Sequence, residues 1–334
     1  MLNNNFLKKN LRSAYYFFRS IVYTNTYITN LVFSYNKRRF KKYSGVNNDS
    51  QTKDMAFITW LYHVVEKGLA MPSMRMGFGI DKIKMLSCKI YFCYEKYGMQ
   101  PQIQSAIRVI KEYDRVHKES GFRLDSEIQS IIDKVCIDFP KVAPLIQTTF
   151  TRDEFFALSS ADFYQFSKSR HSVRNFSGTI SLKQITDAID LARFCPSACN
   201  RQPVRVHVIV NKELKDACLA LQNGNRGFGN LSDKLLIITG DLSTVLGGQE
   251  FFDLATNVGI FIMNLSYALH YNKVAHCILN WYAMPKQDME LRKLVNIPKE
   301  ECVYALIVCG DVPEKFKVVM SPRIDVNNIY TVHE

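Results

Sequence analysis

Arg170, Ser172 and Arg174 place two permanent cations and a hydroxyl within five residues, with His171 between them. Guanidinium groups spaced in this way suit bidentate capture of a phosphate, because each presents a planar fork of donors. Twenty residues beyond Phe176 comes Pro196-Ser197-Ala198-Cys199-Asn200-Arg201-Gln202-Pro203, a run of small polar side chains and amides. Pro and Asn favour a helix stop and a turn at such a place. Each segment alone has a plain reading. The arginines could be a solvated cationic face, and the second run could be no more than a turn.

Two later landmarks follow in order. Cys277-Ile278-Leu279-Asn280-Trp281 comes after a long apolar stretch, and Ala305-Leu306-Ile307-Val308-Cys309-Gly310 precedes Ser321-Pro322-Arg323. In this order the four segments resemble the flavin-binding signature of the nitroreductase family, over roughly residues 155–334. The resemblance implies an α+β fold, a mixed sheet flanked by helices, and an FMN site. Its cofactor-binding residues would be Arg170, His171, Ser172 and Arg174, with Arg323 returning to the phosphate. Pro196, Ser197, Ala198, Asn200 and Gln202 would reach the flavin of a second subunit, and Asn230 the pyrimidine edge of the ring. Backbone N–H groups of Leu279 and Asn280, in a flavin-edge loop, would face N5 and O4. Preorganised donors of that kind stabilise developing negative charge.

There are departures from the family pattern. Leu279 stands where a glutamate is common, and Val204 follows Pro203 where a Trp is frequent. Between Gln222 and Glu250 there is no long helical excursion to cover a substrate. These leave the flavin expectation in place and put the usual nitroaromatic substrate in doubt. The N-terminal helices could supply the missing cover.

The elements that must position these groups are visible as periodicities. Ser181–Phe194 reads as an amphipathic helix, Val204–Val210 as a half-buried strand and Lys212–Gln222 as a helix. Lys234–Gly240 and Tyr304–Gly310 read as buried strands. Glu250–Tyr271 is a helix too apolar all round for a surface element, and would form the floor of a dimer. Ahead of them, residues 46–152 read as a helical accessory domain. There Asp54–Val65 has Phe57, Trp60, Leu61 and Val64 on one expected face, and Gly68 is expected just past a helix end. His63, Glu66, Lys67 and Arg75 could bind an anion or form a salt-bridged loop.

The chain has 334 residues, 47% of them hydrophobic, enough for a sizeable core and roughly two domains. Nine of its twelve net positive charges lie in residues 1–42, which contain no Asp or Glu. That leaves +3 for the rest, so no nucleic-acid face is expected across the fold. The basic, aromatic segment 1–45 lacks an apolar run long enough to span a bilayer, but could lie on an anionic membrane surface. Its other reading is a segment packed on its own domain. The nine cysteines are scattered with no Cys-x-x-Cys pair, so neither a metal site nor a disulfide framework is expected.

The expectation is an NAD(P)H-dependent FMN oxidoreductase, residues 153–334, working by a ping-pong mechanism on a small organic acceptor. It would be a cytoplasmic homodimer, with NADH or NADPH as donor. The alternative is a flavin-free scaffold tied to a membrane assembly of a bacterial surface-polysaccharide pathway.

Overall fold

The computed structural model describes residues 12–15, 26–44 and 49–333. Most of the basic segment 1–25 therefore lies outside the described residues. After a short helical stretch at 12–15, the described part continues with α1 (Thr26–Tyr43), which packs on residues 248–250. A Cβ on Gly248 would stand 2.7 Å from the Thr29 Cα, so only glycine permits this approach. Here the segment does pack on its own chain, while Lys37, Arg38, Phe40, Lys41 and Lys42 at its far end are exposed. Membrane contact finds no support in this arrangement.

Four helices follow: α2 (Gln51–Leu69), α3 (Ile80–Tyr97), α4 (Pro101–Glu119) and α5 (Ser126–Asp138). Ser50 caps α2 through the Lys53 N–H, and Asp125 caps α5 through the Glu127 N–H. Ile58, Leu61, Val65 and Leu69 share one face of α2 and meet Ile83, Leu86 and Ile90 of α3, with Ile103, Ile107 and Ile110 of α4. All are buried, and they form a core separate from that of the C-terminal half. Phe57 and Trp60 are not on that face. They are exposed beside Lys89 and Lys82, which lie over their rings. Gly68 is inside α2 rather than past its end. The Phe78 ring lies against it, only 2.0 Å from where a Cβ would be.

The C-terminal half is built on a four-stranded sheet of order β2 (Val204–Ile209), β3 (Lys234–Asp241), β5 (Glu301–Gly310), β4 (Ala275–Asn280). Every described pairing in it is antiparallel, so the mixed strand direction expected from the sequence is not seen among these strands. Strands β3 and β5 are apolar over Leu235–Ile238 and Ala305–Cys309, where both faces are covered. Leu235, Ile237, Leu306 and Val308 enter one core; Leu236, Ile238, Ile307 and Cys309 enter the other. The first core receives α6 (Arg152–Phe156), α9 (Lys212–Ala220) and α11 (Pro285–Val295). The second receives α8 (Leu182–Ala192) and α10 (Phe251–Tyr271). Ser181 and Gln184 close a reciprocal capping box at the start of α8.

Helix α10 is long and apolar enough to cross a membrane by length and composition. Val258, Leu265 and Leu269 are buried against the sheet, as in a core helix, while Phe252, Ile260 and Met263 are exposed on its other side. A second, two-stranded sheet pairs β1 (Thr148–Thr151) with β6 (Lys315–Val318), which ties the end of the helical region to the end of the chain. The α+β architecture, with its helical N-terminal region and helix-flanked sheet, agrees with the expectation.

Candidate functional site: an acid-free anion cavity

The Arg170 segment is positioned from both sides. Helix α7 (Phe163–Ser169), capped by Asp162 through the N–H groups of Tyr164 and Gln165, delivers Ser167 and Lys168 and then stops. The chain continues extended, and the Val173 N–H donates to the His276 carbonyl on the open edge of β4 at 3.0 Å. Val173 and Phe176 are buried and fix this stretch. From the other direction β6 hands the chain to Val319–Arg323. Ser321 is held with a φ of 46°, and its carbonyl accepts from Arg323 Nη1 at 2.5 Å.

Between these segments lies a cavity of about 550 Å³. Four permanent cations line it: Lys168, Arg170, Arg174 and Arg323. His63 and His171 supply imidazoles, and Ser167, Ser172 and Ser321 supply hydroxyls; among the described residues no carboxylate lines it. Arg170 Nε and Arg174 Nε are buried with no hydrogen-bond partner. Buried donors of charged groups are ordinarily satisfied, so two arginines that line one cavity and each carry an unpartnered Nε mark a place for an anion.

The electrostatics agree. Burial, and then the neighbouring Arg323, hold the Arg170 guanidinium below its ordinary value. Burial, Arg170 and Arg323 push His171 down in the same way. Behind them His270, whose Nε2 is 2.9 Å from Ser169 Oγ, is pushed down to about 4 by burial, Arg170 and His171. His276, 2.7 Å from Ser266 Oγ, is pushed down to about 3, mainly by burial. Lys67 is lowered by burial and by Arg174. Every one of these shifts reports excess positive charge or burial without a counter-ion.

A pH prediction follows. Both histidines titrate near 6.5 when unfolded and much lower when folded, so the unfolded chain binds more protons below pH 6.5. Stability is thus full above pH 6.5 and is lost as pH falls towards 4. The slope is about 1.4 kcal/mol per pH unit for each histidine. Urea midpoints of cofactor-free protein at pH 7, 6 and 5 measure it. His276→Gln should remove close to half of the slope.

Other expected site residues lie elsewhere. Asn230 lines a second cavity of about 270 Å³ with Gln222, Asn225 and Arg226. The Asn225 amide is committed, donating to the carbonyls of Leu219 and Gln222 at 2.8 Å each. Arg174 leads from the first cavity towards the second: its guanidinium carbon is 5.9 Å from the centre of the Phe228 ring, next to Gly227 of the second cavity.

Leu279 and Asn280 are in strand β4, not in a loop. Antiparallel strands turn alternate residues towards the partner. His276 points outward, accepting from Val173, and the Asn280 carbonyl points outward too, accepting from Gln222 Nε2 at 3.0 Å. By that parity the N–H of Asn280 faces the open edge, whereas the N–H of Leu279 faces Leu306 of β5. This corrects the pairing expected of Leu279.

Pro196, Ser197, Ala198, Asn200 and Gln202 are not at the anion cavity. The Ala198 N–H donates to Asn257 Oδ1 at 2.9 Å, near the start of α10. His270, near the other end of α10, is the one beside Ser169. The thirteen residues between Asn257 and His270 span roughly 20 Å of helix. Cys199, Asn200 and Gln202 all have φ near 50°, an unusual concentration of left-handed backbone without glycine.

Sequence reasoning named His63, Glu66 and Lys67 as a possible anion-binding set but did not join them to the Arg170 cluster, and it left Lys168 out. The available signal was the i, i+4 spacing of His63 and Lys67 along α2, with Met71 just past its end. His63 reaches the cavity, Lys67 senses Arg174, and Met71 packs in the sheet core against Gly227.

The nitroreductase family model matches residues 167–236. A Bacillus subtilis (strain 168) protein named "Putative NAD(P)H nitroreductase YdgI" is 27% identical over 104 residues, which cover 30% of this chain and 50% of that protein. The chain thus spans about half the length of this curated relative. A nitroreductase family protein from Streptococcus pneumoniae TIGR4 is 21% identical with a TM-score of 0.44, covering 52% of this chain and 100% of that one. An FMN-dependent nitroreductase from Clostridium difficile R20291 is 16% identical with a TM-score of 0.43, covering 51% and 98%. These overall likenesses are low, and the family link rests on the matched segment and the curated relative. Residues 167–236, which include Arg170 to Arg174, are thus the part of the chain that resembles the nitroreductase family.

Proposed function

We propose that the protein is an FMN-dependent oxidoreductase that takes electrons from NADH or NADPH and delivers them to a small organic acceptor by a ping-pong cycle. The observation that carries this is the acid-free cavity, with its two orphaned guanidinium Nε atoms and an Arg323 brought in from the end of the chain. A phosphate of about −2 charge fits that donor set. A flavin-free scaffold would have no use for two buried, unpaired guanidinium donors.

Arg170 and Arg323 bind the phosphate, with Ser172 and His171 beside them. Arg174 lies towards the ribityl chain and the ring. Asn230 sits in the second cavity where the pyrimidine edge would lie, and the outward N–H of Asn280 is the donor of β4 available to the ring. FMN, when bound, supplies the redox chemistry. The chain's part is to hold it, orient it and present donors to it. Pro196 to Gln202, far from the cavity of its own chain, would serve the flavin of a partner in a homodimer.

The test is direct. Purified protein should carry flavin absorbance at about one FMN per chain, and anaerobic NADH or NADPH should bleach it. Protein that neither copurifies with FMN nor binds it at micromolar concentration would sink the proposal.

A further inference from the structure

We infer that Glu66, on helix α2 of the helical region, is a positioning residue of the anion site. This rests on the FMN reading above and extends it to a residue outside the matched family segment. Glu66 is fully buried. One carboxylate oxygen, Oε1, accepts the Ser321 N–H at 3.0 Å. The other, Oε2, has no hydrogen-bond partner and stands 3.6 Å from His63 Nδ1. Both Ser321 and His63 line the cavity.

A buried carboxylate is costly unless paired, so its two oxygens matter. The Ser321 contact holds a non-glycine residue at a φ of 46°, a conformation that costs about 1 kcal/mol or more by itself. That turn sets where the Arg323 guanidinium is presented. On the other side, the second carboxylate oxygen stands 3.6 Å from Nδ1 of His63 and sets how that imidazole is presented to the cavity. Glu66 therefore acts on the phosphate through two intermediaries, a loop and an imidazole, and touches no ligand itself. The cofactor site is completed by the helical region, in the same chain.

The experiment compares FMN with riboflavin, which lacks the phosphate, by fluorescence titration of the full-length protein stripped of flavin. Wild type is compared with Glu66→Gln and Glu66→Ala. Gln keeps the size and an acceptor for Ser321, so it guards against misfolding; Ala removes both contacts. The expected result is a fall in the FMN-to-riboflavin affinity ratio of roughly tenfold for Gln, the effect of one weakened charge-assisted contact, and more for Ala. Riboflavin affinity should stay within about twofold. A parallel loss of both ligands, an unchanged ratio, or a higher ratio in Glu66→Gln would overturn the inference. Wild type that binds neither ligand would instead overturn the FMN reading.

Discussion

Arg323→Ala lowers FMN affinity by about 2–3 kcal/mol, roughly 30- to 150-fold, while leaving the unfolding midpoint of the cofactor-free protein almost unchanged. The residue is exposed, and its one described contact is with the carbonyl of Ser321 two residues away, so folding gains little from it. Arg170 should behave differently. It is half-buried, lacks a partner at Nε and feels the charge of Arg323. Replacing it by Met should cost as much FMN affinity or more, yet raise the stability of the cofactor-free fold, because an uncompensated desolvated charge is removed. Isothermal titration with FMN and urea denaturation of the same samples separate the two effects. If Arg170→Met destabilises the cofactor-free protein and leaves FMN affinity intact, the residue is structural and the anion assignment fails.

A comparable effect is expected at the open side of α10. Ile260 and Met263 are each 39% exposed, and Leu191 and Phe194, just before and after the end of α8, add further exposed apolar surface. Apolar surface of this extent is unusual on a monomer. The strained segment Cys199 to Gln202 also lies at the opposite end of α10 from the anion cavity of its own chain. A second copy would relieve both circumstances at once. Ile260→Glu combined with Met263→Glu puts two charges where a partner would bury them, which should yield a monomer. If each flavin needs Pro196 to Gln202 of the partner, FMN should be lost in the same step. Light scattering with simultaneous absorbance reads both. A monomer that keeps FMN at wild-type affinity would remove the dimer from the account.

The parts of the fold legible in the sequence were those decided locally. Ser181 opens a clear helical pattern, and Leu235–Ile238 is apolar on both faces because the strand is central. The Arg170 cluster was legible because its chemistry is dense over a few residues. What depended on distant partners was not. Cys277 to Asn280 carries no strand alternation of its own; pairing with β5 makes it a strand and decides which N–H groups are spent. Helix α2 has apolar residues on more than one face, so its periodicity left Phe57 and Trp60 on the wrong side. Glu66 read only as one member of a set that could bind an anion or form a salt-bridged loop. Its role depends on Ser321, 255 positions along the chain, and no spacing rule reaches that far.

The small sheet that pairs Thr148 with Val318 has a consequence for how the protein is made. Residues so far apart meet late, because long loops close slowly and synthesis proceeds from the N-terminus. The arm that carries Arg323 leaves directly from that sheet. Until that pairing forms, the helical bundle and the larger sheet, which ends at Gly310, can be in place while Arg323 is not docked. Presentation of Arg323 to the cavity therefore waits for β6 to find β1, and the slowest-closing pairing of the fold also decides when the cation set is complete.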